Sequence, residues 1–153
     1  MLHAWLASLV FLSAALQTAP QDPSPITYRV SFDGAAHHWL EVEATFPDVD
    51  RAAPLRVRMS RSSPGRYSIH EFAKNVFFFE AFDGAGRRLG VTRPEADEWA
   101  VAGHDGTVRV VYRIFGDQAD GTYLGVDTTH GHLNMPAARS SPEPASDPDR
   151  PPT

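Results

Sequence analysis

Two histidines flanking one glycine, His130-Gly131-His132, have the spacing best suited to chemistry in this chain of 153 residues. On a strand, positions i and i+2 face the same side, so both imidazoles can converge on one cation. A complete site needs a third ligand, and Asp127 or His104 would serve only if the fold brings them close. Two ligands at strand spacing also fit a structural or interface role, so His130 and His132 stand as weak metal candidates. His37-His38 is weaker, because adjacent strand residues point to opposite faces.

His70-Glu71-Phe72-Ala73-Lys74 starts like the zinc-peptidase string His-Glu-x-x-His, which places two imidazoles on one helical face. The second ligand position holds Lys74, whose ammonium repels a cation. A surface turn with Glu71 and Lys74 in solvent is the reading that fits. Ser62-Ser63-Pro64-Gly65 lacks the Gly-x-Ser-x-Gly elbow of a serine nucleophile and reads as a turn. No glycine-rich phosphate loop is present. The absence of cysteine excludes disulfides, thiolate metal sites and a cysteine nucleophile. A formal charge of −5 argues against nucleic acid as a partner. No complete catalytic set emerges from these patterns.

The elements that would position these residues read as strands. Tyr28, Val30 and Phe32 alternate with polar residues, as do Leu40, Val42, Ala44 and Phe46, and then Leu55, Val57 and Met59. Residues 76–82 carry four phenylalanines and have high strand propensity. Asp83-Gly84-Ala85-Gly86 follows as a turn, after which residues 87–92 are expected to return antiparallel. Residues 98–102 and 108–115 complete the strong strands. One short helical turn is expected within 68–75, with Ile69, Phe72 and Ala73 toward the core. Trp39, Phe77, Phe79 and Trp99 are the expected core anchors. Short strands with Gly, Pro and Asp turns and no βαβ alternation specify an all-β, antiparallel β-sandwich.

The ends differ in kind. Residues 1–19 contain no charged side chain, and the apolar run within them is too short for the roughly 20 residues of a membrane-spanning helix. It matches a secretory signal, with a buried N-terminal helix as the alternative, so the chain is expected to be exported to a periplasm or the cell exterior. Residues 20–25 hold three prolines and form a spacer. The sandwich is expected over 26–138. Residues 139–153, rich in Pro, Ser and Asp, are expected to be disordered.

The string from Met59 to Val76, with Pro64-Gly65-Arg66-Tyr67 at its centre and Glu71-Phe72-Ala73 behind it, resembles the N-terminal domain signature of the glycyl aminopeptidase family. These are zinc metallopeptidases related to thermolysin, often carrying a PDZ domain. Asp83-Gly84-Ala85-Gly86, Trp99, residues 108–112 and Thr129-His130-Gly131-His132-Leu133-Asn134 follow in the order the family leads one to expect. The resemblance covers roughly residues 26–138 and implies a non-catalytic β domain that packs on a catalytic domain and shapes its cleft. Pro64, Gly65, Arg66 and Tyr67 are then a structural signature turn. Zinc would belong only to the catalytic domain, whose His-Glu-x-x-His has no counterpart here, so no cofactor is expected. The resemblance further suggests a truncated relative or gene fragment. The alternative is a free-standing exported sandwich that binds a peptide or protein.

Overall fold

The computed structural model describes residues 24–62, 65, 69–118 and 122–134, together with the backbone of 140–142. The expected signal at 1–19, most of the spacer at 20–25, and most of the tail at 139–153 lie outside the described residues. Among the described residues, no helix is long and apolar enough to cross a membrane.

Two four-stranded antiparallel sheets form the domain. The first has the order β1 (Thr27–Ser31), β2 (Trp39–Phe46), β7 (Val108–Phe115), β4 (Val76–Asp83). The second has the order β10 (Ser140–Pro142), β3 (Leu55–Met59), β6 (Glu98–Ala102), β5 (Gly90–Glu95). A two-stranded ladder of β8 (Gly125–Val126) and β9 (Gly131–His132) sits beyond the end of β7. The all-β antiparallel sandwich read from the sequence is what the chain builds.

Period-two alternation explains the core. Leu40, Val42, Ala44 and Phe46 of β2 are buried, and so are Leu55, Val57 and Met59 of β3. Val108, Val110, Tyr112 and Ile114 of β7 complete the inner face of the first sheet. Each fully buried aliphatic side chain contributes roughly 1.5–3 kcal/mol by leaving water, which offsets the entropy of ordering the strands.

Several expectations need correction. The residues after the Asp83 turn do not return as a strand beside β4. They pair through one bridge, Phe82 with Arg88, before β5 crosses to join β6 in the second sheet. The short helical turn expected within 68–75 is a 3-10 turn at Phe72–Asn75, which buries Phe72 and Ala73 as expected but leaves Ile69 72% exposed. One turn cannot carry apolar residues at helical spacing onto a single face. At the start of the tail, Ser140–Pro142 adds an edge strand beside β3. Ladder bonds need backbone rather than apolar side chains, and proline is tolerated on an edge strand.

A β-bulge in β4 corrects the anchors. Phe77 pairs with Arg113 and Glu80 with Val111, so three steps along β4 match two along β7. The extra residue shifts the alternation. Phe79 and Trp99 pack inward as expected, whereas Phe77 is 42% exposed and Trp39 half-buried on the outer face. Phe78, 68% exposed, carries a φ of 54°.

Candidate functional site

The β8–β9 ladder gathers the histidines. Gly125 bridges to Asp117 and pairs with His132, while Val126 pairs with Gly131. A depression of about 190 Å³ results, lined in part by His38, Asp117, Asp127, His130 and His132. Sequence spacing had found His130 and His132 and proposed Asp127. It ranked His38 lower and did not single out Asp117.

His38 reaches this place because it is not on a strand. It closes a 3-10 turn at Ala35–His37 in the left-handed region, with φ 61°. Gly34 permits the turn, since a Cβ there would lie 2.7 Å from the Trp39 Cβ. The His38 Nδ1 lies 2.7 Å from the carbonyl oxygen of Val126, so Nδ1–H donates to it. Asp117 Oδ1 stands 3.8 Å from the same nitrogen. Gly116 closes the base, where a Cβ would lie 2.9 Å from the Leu124 Cβ and 3.0 Å from its carbonyl oxygen.

Asp127 organises the other wall. Its Oδ1 accepts the Thr129 amide at 2.6 Å, the Thr129 hydroxyl at 2.7 Å and the His130 amide at 2.8 Å. The Thr129 side-chain and backbone bonds, with the His130 amide, lower its pKa from 3.8 to about 2. Since the Thr129 hydroxyl donates to Asp127, its oxygen accepts from Nδ1–H of His130, 2.7 Å away. His38 and His130 therefore both spend Nδ1 internally.

This arrangement does not fit a zinc centre. Among the described residues, no group of three or more His, Asp or Glu side chains stands close enough to hold a metal. Asp127 has three donors on one oxygen, and His104 is buried elsewhere, with Nε2 3.1 Å from the Ala53 carbonyl. The depression is a notch bordered by three imidazoles, two of them held through Nδ1.

His70 is buried rather than in a surface turn, stacked on Phe72 at 5.1 Å, while Glu71 and Lys74 are exposed. Gly65 of the signature turn has the positive φ, 77°, that the Pro-Gly reading calls for. Pro64, Arg66 and Tyr67 lie outside the described residues.

Next to the notch lies an aromatic surface. Trp39 meets Phe77 and Phe115 at centroid distances of 5.3 Å each, and Phe78 at 6.3 Å. His38 touches the same group edge-on at Phe115, 6.1 Å away. Farther along this outer face lie charged pairs, Glu41 to Arg113 at 3.1 Å and Glu43 to Arg109 at 2.9 Å.

The chain matches the family described as Peptidase M61 N-terminal domain over residues 27–149. No curated protein matches it. Among solved structures, it is similar to an aminopeptidase N family protein from Idiomarina loihiensis, with a TM-score of 0.72 and 20% identity. That similarity covers 78% of this chain and only 20% of the other, so the chain spans about a fifth of that protein's length. The fold likeness and the family match over nearly all the described residues agree: the chain belongs to the Peptidase M61 N-terminal domain family, the N-terminal domain of the glycyl aminopeptidases.

Proposed function

We propose that this sandwich works as a non-catalytic module of an aminopeptidase-like metallopeptidase, packing on the catalytic domain and helping to wall its substrate cleft. The observation that carries this reading is the family match over residues 27–149. The alignment to one fifth of a much longer aminopeptidase-family chain supports it. Zinc and the peptidase chemistry then reside in the catalytic domain, and this module contributes surface and shape. The apolar, uncharged stretch at residues 1–19 supports export, which N-terminal sequencing of the mature protein checks.

The test mixes the purified chain with the thermolysin-like portion of an M61 peptidase from the same source, produced without its own N-terminal domain. The expected result is faster cleavage of a glycyl amide substrate in the mixture than with the catalytic portion alone. Cleavage indifferent to the added chain overturns the reading.

A second reading, a free-standing sandwich that binds a peptide, is favoured by the edge strand β1. Val30 in the strand, 36% exposed, and Ile26 and Phe32 at its ends, 40% and 45% exposed, share one face of a strand that is an edge among the described residues, a position suited to strand addition. Binding of extended peptides with no effect of the catalytic portion would select this reading.

A further inference from the structure

We infer that the module docks through the aromatic surface of Trp39, Phe77, Phe78 and Phe115, and that its occupant is the catalytic portion of the peptidase. This inference rests on the function proposed above and adds the face that is used.

Two aspects of the fold single out this face. The bulge between Phe77 and Glu80 places consecutive phenylalanines on the solvent side, where simple alternation would have turned one of them inward. Phe78 also holds a φ of 54°, a region that L-residues with large side chains rarely occupy and that costs about 1–3 kcal/mol. Core packing does not compensate for that cost, because Phe78 is 68% exposed. A strained backbone that presents an aromatic ring to solvent is accounted for by a partner that covers the ring.

The surroundings have the composition of an interface. Large aromatic rings sit together at the centre, and the Glu41–Arg113 and Glu43–Arg109 pairs form a polar margin. The Arg113 guanidinium lies 5.8 Å from the Phe78 ring centroid, so the margin reaches onto the patch. The partner is identified by length. In the aminopeptidase-family protein that this sandwich resembles, about four fifths of the chain lies outside the matched part, and a module of that kind must offer it a face. Part of the rival surface on β1 is engaged within the domain, since Phe32 lies within 3.3 Å of the position a Cβ would take at Gly131 and Tyr28 is half-buried against the core.

The experiment measures the dissociation constant between the full chain and the M61 catalytic portion for three proteins: wild type, Phe77→Ser/Phe78→Ser, and Ile26→Ser/Phe32→Ser. Thermal melting checks each fold, and light scattering reports the association state of the chain alone. The expected result is at least about 30-fold weaker binding for the Phe77/Phe78 variant and near wild-type binding for the Ile26/Phe32 variant. Should the double variant fail to fold, Phe78→Asp replaces it, with weaker binding again expected.

Unchanged binding by the Phe77/Phe78 variant, with loss in the Ile26/Phe32 variant, overturns the choice of face and leaves the proposed function standing. No binding by wild type overturns both. A wild-type dimer that Phe77→Ser/Phe78→Ser dissolves, without binding to the catalytic portion, overturns the choice of occupant in favour of a second copy.

Discussion

The Trp99 indole lies flat against the Phe79 ring, with centroids 4.7 Å apart and planes 6° from parallel. Trp99 belongs to β6 and Phe79 to β4, so this stack joins the two sheets across the core. Phe79 continues it onto Tyr112 at 5.7 Å, and the Arg93 guanidinium sits 4.8 Å from the Trp99 ring on another side. Removing the indole leaves a cavity bounded by both sheets. Trp99→Ala is expected to cost about 3–5 kcal/mol, a large part of an ordinary domain's stability. Urea unfolding monitored by far-ultraviolet circular dichroism measures this, and an unchanged midpoint would show that the stack does not hold the sheets together.

Phe78 leads to the opposite expectation. Glycine occupies φ 54° without the steric penalty of a Cβ, and the Phe78 ring is mostly in water. Phe78→Gly should leave the melting temperature unchanged or raise stability by up to about 1 kcal/mol. Stability gained on loss of an exposed ring is the behaviour of a residue retained for contact with something else. A clear fall in melting temperature would mean that the ring matters to the free domain.

Glu98 is fully buried, although it lies on the outer face of the second sheet. Its two oxygens accept from Arg56 Nη1 and Arg58 Nη2, both at 2.5 Å. The arginine side chains are 55% and 42% exposed and rehydrate easily when the carboxylate is neutralised. Glu98→Gln should therefore cost about 2–3 kcal/mol, below the loss from breaking a fully buried pair. Guanidinium denaturation of the variant at neutral pH measures the difference.

Asp127 sets a pH dependence. Its folded-state pKa, about 2, is below the ordinary 3.8, so the unfolded chain takes up a proton first as pH falls. The stabilisation is fully present above about pH 4 and is lost as pH drops toward 2. At neutral pH, Asp127→Asn should melt below wild type, and the gap should close between pH 4 and pH 2. A gap independent of pH would show that the Thr129 and His130 bonds do not depend on the carboxylate charge.

The strands of the sandwich were legible because burial follows a period of two. Leu40 to Phe46 and Leu55 to Met59 alternate cleanly, and their inward faces follow directly. The run of aromatics in β4 was legible as a strand but not in its facing. Three consecutive phenylalanines carry no alternation, and the bulge that orients them is a property of pairing with β7. His38 was ranked too low for a related reason, since a residue read as part of a strand closes a 3-10 turn.

Periodicity alone settled an all-β class and the core positions of β2 and β3, while the string around Pro64 and Gly65 carried the resemblance to the family that the match over residues 27–149 shows. Tertiary structure alone decided which rings face water, that His38, His130 and His132 border one notch, and that no trio of them is placed to hold a metal among the described residues. The division has a physical cause. Solvent sorts side chains along each strand by local pattern, whereas strand register, bulges and the meeting of distant loops depend on contacts between segments far apart in the chain.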